Sequence, residues 1–311
     1  MARNTDVPGV ALITGAASGM HLPLQMEKLH LNSPHRPISH KSTSGIGRAT
    51  ALAFAEAGCS RLALLDINEA GLEITRTLLL EQSRPTTSTT DTAKALEIGI
   101  YKVDVSSPED VASAFAATKD KFTRIDYAVH CAGILVFSGG SADCPIESFD
   151  QQTSVIYRGL WLCSREAIKI MRAQPLDSEA YPDALIPATR AQRGSIVNIS
   201  SGLALYTMPN SPAYSGAKAA ILAITRSDAI DYADDRIRVN AVLPGIIDSP
   251  MTNPSPEVRA WLQANAVPRH PMNRFGQPEE IADVCVFLAG NKASYVTGAS
   301  WSVDGGWVSG G

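Results

Sequence analysis

A five-residue apolar run, Val10 to Thr14, ends abruptly in Gly15-Ala16-Ala17-Ser18-Gly19. A short strand that breaks into glycine and then feeds a helix restricts the fold severely. Glycines let the backbone approach a pyrophosphate, and the free N–H groups of the following helix N-terminus face the same anion. The helix does not follow at once, because Met20 and His21 come next. The second half of the pattern appears later, as Gly45-Ile46-Gly47 and the Ala-rich stretch RATALAFAEAG, which is apolar along one face and closed by Gly58. Residues 20–44 therefore read as an insertion inside the glycine-rich loop. They hold four of the six histidines and three prolines. The irregular spacing of those histidines gives no register that would gather a metal ion, and none is assigned.

Two readings of the insertion follow. In the first it is a surface excursion, and the loop is rebuilt from Gly15, Gly19 or Gly45, and Gly47; long loops cost little in closure entropy. In the second it is a retained intron. Gly19-Met20 can be encoded as G-GTATG, which is donor-like, and Ser44-Gly45 as TCA-GGN, which is acceptor-like in the same phase. The second reading predicts a weakened or abolished cofactor site.

Beyond the insertion, strands alternate with helices. Arg61 to Leu65 reads as a strand ending at Asp66, and a helix follows over 69–82. A Ser/Thr/Pro cluster near 83–94 reads as a solvated loop. Ala95 to Val103 is a third strand, ending in Asp104-Val105. Ser106-Ser107-Pro108-Glu109 then opens a helix over 108–122. Ile125 to His130 is a fourth strand, followed by Cys131-Ala132-Gly133. A helical region spans 146–173, and the polar, Pro-containing segment 174–193 reads as a surface loop. Strands at 195–199, 236–242 and 297–303 and a helix at 278–288 complete the chain. Such alternation predicts a doubly wound parallel sheet in the order 3-2-1-4-5-6-7, with its switch point beside the first strand. No linker divides the 311 residues, of which 45% are hydrophobic, so one domain covers 1–311.

The chemistry is concentrated between Gly194 and Ala220, GSIVNISSGLALYTMPNSPAYSGAKAA. Ser201 stands just past a strand's C-terminal end, where open α/β sheets bind ligands. Tyr214 and Lys218 lie four residues apart, hence on one helix face. An ammonium one turn from a phenol favours the phenolate and lowers its pKa. A hydroxyl opposite can hold a substrate oxygen, so the three groups make a proton donor or acceptor for a carbonyl/alcohol pair.

Strand, Ser-Ser, spacer and Tyr-Ser-Gly-Ala-Lys together resemble the short-chain dehydrogenase/reductase family, and the likeness runs through nearly the whole chain apart from three insertions. Thr14, Gly15 and Gly19 match its T-G-x-x-x-G-x-G pattern, which Ile46 and Gly47 complete. The resemblance implies a Rossmann fold, with Ser201, Tyr214 and Lys218 as catalytic residues. It implies a dinucleotide held by Gly15, Gly19, Ile46, Gly47, Asp66, Asp104, Gly133, Tyr214, Lys218, Ile247 and Ser249. Asp66 at the strand end can accept both ribose hydroxyls and repel a 2′-phosphate, which favours NAD over NADP, the alternative.

The chain departs from the family in three places. His130-Cys131-Ala132-Gly133 replaces Asn-Asn-Ala-Gly; His130 reads as a packed strand residue, and Cys131 has no base spaced to activate it. Ile156 stands where the family has the Asn that helps hold a water joining the lysine to solvent. Ser249 follows the Pro244-Gly245 turn where a Thr is usual. Residues 251–275 correspond to the segment that covers the substrate, with Trp261, His270 and Phe275 as candidate lining.

The expected activity is NAD(P)-dependent interconversion of a secondary alcohol and a ketone on a small organic substrate, with secondary metabolism as a setting. The competing expectation is a non-catalytic Rossmann-type binding or scaffold protein, or an inactive splice form. The net charge of −4 offers no field for nucleic acid or acidic membranes. Five scattered cysteines and the lack of an apolar leader or membrane-length run predict a reducing, cytoplasmic setting. The family resemblance implies a homodimer or homotetramer.

Overall fold

The computed structural model describes residues 7–17, 45–83 and 95–309. The insertion at 20–44, Gly19 and residues 84–94 lie outside the described residues.

Seven parallel strands form one sheet in the order β3-β2-β1-β4-β5-β6-β7. They are β1 (Val10–Thr14), β2 (Arg61–Asp66), β3 (Glu97–Lys102), β4 (Tyr127–His130), β5 (Gly194–Ile199), β6 (Ile237–Pro244) and β7 (Ser300–Val303). Between them run α1 (Ile46–Glu56), α2 (Glu69–Gln82), α3 (Pro108–Phe122), α4 (Ile146–Thr153), α5 (Gly159–Arg172), the short α6 (Asp177–Ala180), α7 (Pro212–Asp231), α8 (Pro256–Asn265) and α9 (Pro278–Ala289). Every residue of β1, β4, β5 and β6 is buried, which is why these strands read as near-continuous apolar runs rather than alternating ones.

Alternate residues face two helical layers. Ala11, Ile13, Leu64 and Val129 pack with Phe54 of α1 and Ile281 and Leu288 of α9. Leu12, Ala63, Ala128 and Ile196 pack with Phe115 of α3 and Ile168 and Met171 of α5. The connection after β1 goes one way to β2, and the chain later returns on the other side of β1 to lay down β4. The connections that leave β1 and β4 thus run to opposite sides, and the crevice between them is the position such sheets reserve for a ligand.

Two expectations need revising. The last strand begins at Ser300 instead of Thr297, because Gly298 is left-handed (φ 71°) and the Thr297 hydroxyl is occupied accepting from Val239 N at 3.1 Å. Segment 174–193 is not simply a solvated loop. Gln174, Asp177 and Gln192 are buried, and the Tyr181 hydroxyl donates to Asp126 Oδ2 at 2.8 Å while accepting from Arg61 at 2.8 Å. Asp126 also pairs with buried Arg124 at 2.5 Å and accepts from Val10 N at 2.8 Å. The segment therefore seals the end of the sheet opposite the crevice.

Candidate active site

The two separated halves of the glycine-rich loop meet. Gly15 is left-handed (φ 71°), and a Cβ there would stand 2.8 Å from Ala132 N; a Cβ on Gly47 would collide with the Gly15 carbonyl oxygen. Residues 15–17 are tied down from below. Ala16 N donates to Leu65 O at 3.2 Å, Ala17 N to Asp66 Oδ2 at 3.0 Å, and the Thr75 hydroxyl donates to Ala16 O at 2.7 Å. Buried Arg48 donates to Ala17 O and, through Nε, to Thr75 at 3.0 Å. Gly45 opens α1, its carbonyl accepting from Ala49 N at 3.0 Å. Arg48 and Thr75 were missed in the sequence; only the position of Arg48 directly after Gly45-Ile46-Gly47 hinted at a role.

Gly15, Ile46, Gly47, Asp66, Asp104, Gly133 and Ser249 all line a crevice of about 300 Å³. Asp66 closes one end. Burial raises its pKa, while N–H donors from Asn68 and Ala17 and the Arg48 cation oppose that rise. Each carboxylate oxygen accepts one backbone N–H and keeps acceptor capacity toward the crevice. Asp104 folds back on Ser106, accepting from its N–H at 2.9 Å and its hydroxyl at 2.7 Å. Ile247 is placed differently from Ser249: its side chain is buried in the core beside α9. Gly19 lies outside the described residues. The bare glycine cradle at a helix N-terminus, with a carboxylate at the far strand end, fits a dinucleotide.

Ser201, Tyr214 and Lys218 come together beside this crevice, all three buried. Ser201 leaves β5 in extended conformation; its hydroxyl accepts from Leu203 N at 3.1 Å and stands close enough to Tyr214 to favour the phenolate. Pro212 starts α7, which carries Tyr214 and Lys218 on its inner face. Lys218 Nζ donates to Ile199 O at 2.8 Å and would stand 3.8 Å from a Cβ on Gly133, so it reaches the crevice wall. Ser200 fixes the helix to the strand, its hydroxyl donating to Lys218 O at 2.8 Å.

The expected lowering of the Tyr214 pKa is corrected by the structure. Burial pushes the phenol up to about 12, and only the neighbouring Ser201 side chain opposes it. Lys218 sits over the ring, 5.7 Å from its centroid, rather than at the hydroxyl, and burial brings its own pKa down to about 8.

The departures in the sequence also have a place. His130 is buried with both ring nitrogens unpartnered, and burial brings its pKa down to about 3; it is neutral and packed. Burial pushes the Cys131 thiol up to about 12. Ile156 lies in a π-helical turn, Ser154–Arg158, between α4 and α5, fully buried against Tyr214, Ile134 and Ile221. Trp261, His270 and Phe275 do not share one wall. Phe275 lies under Arg259 beside a separate groove, and buried His270 spends its Nε2 accepting from Ile246 N at 3.3 Å. Among the described residues no cluster of His, Cys, Asp and Glu can hold a metal ion, and no helix is long and apolar enough to cross a membrane.

A family model described as Enoyl-(Acyl carrier protein) reductase matches residues 41–179 and 180–308. Short-chain dehydrogenase fogB of Aspergillus ruber is 35% identical over 266 residues, covering 84% of this chain and 92% of that one. The 2-(R)-hydroxypropyl-CoM dehydrogenase of Xanthobacter autotrophicus is 35% identical over 272 residues, covering 86% and 96%. The crystal structure of levodione reductase superposes with a TM-score of 0.75 at 28% identity, covering 98% of each chain. With the seven-stranded parallel sheet, the split glycine cradle and the Ser–Tyr–Lys cluster already in place, these likenesses make the chain a member of the short-chain dehydrogenase/reductase family.

Proposed function

We propose that this single-domain protein interconverts a secondary alcohol and a ketone on a small molecule, with Tyr214 as the acid/base and NAD as the preferred dinucleotide. The observation that carries the reading is the convergence of buried Ser201, Tyr214 and Lys218 at the end of β5, beside the crevice. Bound there, a nicotinamide supplies or takes the hydride at its C4 position. The chain's own residues do the rest. Gly15, Ile46 and Gly47 hold the pyrophosphate through backbone contacts, with Gly19 in the same loop by the family pattern. Asp66 takes the adenosine ribose hydroxyls and disfavours a 2′-phosphate, Asp104 borders the adenine, and Ser249 and the Ile247 backbone meet the carboxamide. Gly133 leaves room for the second ribose, which Lys218 holds.

Ser201 holds and polarises the substrate oxygen. With its pKa near 12, Tyr214 is protonated at neutral pH and stands ready to donate its proton to a ketone oxygen. The names of similar proteins, among them levodione reductase and a hydroxypropyl-CoM dehydrogenase, support a ketone or secondary alcohol as the reacting group. The five free cysteines suit a cytoplasmic setting. Exposed Trp301 and Phe287, stacked at the β7 edge, suit assembly into a homodimer or homotetramer.

The competing reading, a binding protein without turnover, draws on the insertion and on Ile156. A screen of ketones and secondary alcohols with both dinucleotides decides between them. Turnover that falls by about 10²–10⁴ in Tyr214→Phe, with dinucleotide affinity kept, is the expected result. An unchanged rate would sink the assignment.

A further inference from the structure

The chain leaves β7 through Asp304-Gly305-Gly306 and turns back on itself. Asp304 is buried, and its carboxylate accepts from Gly306 N and Val308 N, each at 2.9 Å. Gly305 and Gly306 are both left-handed, at φ 62° and 87°, which lets the chain reverse in so few residues. The turn delivers Trp307 against the loop that follows β5. A Cβ on Gly202 would lie 2.8 Å from Cε3 and Cζ3 of the indole, so the ring occupies the space a side chain would need. Gly202 is the neighbour of Ser201. The same indole packs against the apolar cluster that contains Leu203 and Tyr214.

Trp307 is backed and flanked by other rings. It stacks on His270, with ring centres 5.1 Å apart and planes at 29°. His270 is itself fixed, Nδ1 lying 3.0 Å from Ala266 O and Nε2 accepting from Ile246 N at 3.3 Å. This ties the end of α8 and the Pro244-Gly245 turn to the indole. Tyr206 tilts toward Trp307, centres 6.2 Å apart and planes at 43°, and is 42% exposed. Met208 also borders the cluster. None of these side chains brings a formal charge of the kind that would recruit a phosphate or carboxylate.

We propose that Trp307, backed by His270 and flanked by Tyr206, is the specificity wall of the site, and that it selects uncharged ketones or alcohols bearing an aromatic ring next to the reacting carbon. The proposal rests on the reading of Ser201 and Tyr214 as the groups that hold the substrate oxygen. An oxygen held by those two hydroxyls places a substituent of its carbon alongside Gly202, where the indole stands. A flat ring against an indole gains up to about tenfold in affinity over an aliphatic group of similar area, and it has fewer rotors to immobilise.

The test compares acetophenone with 2-octanone, which have the same number of carbons. In the holoenzyme, Trp307→Leu lowers the kcat/KM ratio of acetophenone over 2-octanone about tenfold, mainly through KM for acetophenone, and Trp307→Phe restores most of it. Tyr206→Leu, on the exposed side of the wall, lowers the same ratio and serves if Trp307→Leu does not fold. Equal losses for both ketones, or an unchanged ratio, overturn the proposal. Equilibrium dialysis of acetophenone against the NADH-loaded Tyr214→Phe protein, with and without Trp307→Leu, separates this proposal from the dehydrogenase reading. Trp307-dependent binding without turnover by the wild type keeps the wall and rejects the enzyme. Turnover of both ketones with binding indifferent to Trp307 keeps the enzyme and rejects the wall.

Discussion

Lys218 Nζ lies over the face of Tyr214, 5.7 Å from the ring centroid, and donates to Ile199 O at 2.8 Å. The cation is thus held by a strand carbonyl and a π-face, with no carboxylate among the causes of its shift, and burial brings its pKa down from 10.5 to about 8. Between those two values the unfolded chain binds more protons than the folded one. Stability therefore rises with pH from about 8 to 10.5, and the cost of Lys218 is fully present below 8.

Replacing Lys218 by Met removes that cost together with one charged hydrogen bond. The variant should exceed the wild type in unfolding free energy at pH 7 by about 1–3 kcal/mol, and the difference should close as pH passes 10.5. Urea unfolding at pH 7 and at pH 10.5 measures both. A variant that is less stable at pH 7 would contradict the buried-cation account.

Asp66 has two tasks, receiving Ala17 N at 3.0 Å and presenting acceptor oxygens to the crevice. Asp66→Ser shortens the group and removes its charge. The kcat/KM ratio of NAD over NADP should fall at least about tenfold, since a repulsive charge against the 2′-phosphate is lost with an attractive contact to the ribose. Measuring both dinucleotides with one substrate gives the answer, and an unaltered ratio rejects Asp66 as the discriminator.

Much of this site is legible in the sequence. The alternation of apolar runs with capped helices specifies parallel βαβ units, so the strand order and the switch point follow from it. Ser201, Tyr214 and Lys218 converge because a strand end and a helical repeat of four fix their spacing. The sign of the Tyr214 shift was not legible. It depends on how deeply the ring is buried and on where Lys218 Nζ points, both set by packing from Ile134, Ile156 and Leu203, residues distant in sequence. Tyr181 and Trp307 were hidden for the same reason: each acts through a partner that only the tertiary fold brings near, Asp126 for one and Gly202 for the other.

Ile156 shows what a missing amide leaves behind. The π-helical turn is kept, Gly159 N donating to Ser154 O, but an alkyl side chain fills the space beside Tyr214. Ile156→Asn should cost about 1–3 kcal/mol of stability, because an amide then sits among apolar groups. It should also raise kcat by restoring a polar route between Lys218 and solvent. Loss of melting temperature with no gain in kcat would show that proton exchange in this chain does not pass position 156.

At the opposite end of the sheet, half-buried Arg61 and Tyr181 join the buried Arg124–Asp126 pair in one polar knot. Removing Arg124 leaves the Asp126 carboxylate with only Val10 N and the Tyr181 hydroxyl. Arg124→Ala should destabilise by about 3–5 kcal/mol, whereas Tyr181→Phe, which deletes one hydrogen bond, should cost about 1–2 kcal/mol. Neither substitution touches the crevice, so the KM for NAD should stay constant in both. A shift in that KM would reveal coupling along the sheet.

The insertion gives the most direct prediction, because the described residues that flank it, Ala17 and Gly45, are both anchored. Ala17 N donates to the Asp66 carboxylate and Ala17 O accepts from Arg48, while Gly45 caps α1, whose Gly47 packs on the Gly15 carbonyl. A chain lacking residues 20–45 keeps one glycine, Gly19, between Ser18 and Ile46 and reads TGAASGIG without interruption. Closure entropy changes slowly with loop length, by about 0.6 kcal/mol per doubling, so a shortening of nearly four doublings should raise overall stability by about 2 kcal/mol. Dinucleotide affinity should respond as well, since Ser18 and Gly19 become part of a tight turn whose N–H groups converge on one anion. NADH fluorescence titration of the two chains should give at least tenfold tighter binding to the shortened one, about 1.4 kcal/mol or more. Equal affinities would instead make the insertion an excursion that leaves the phosphate loop working around it.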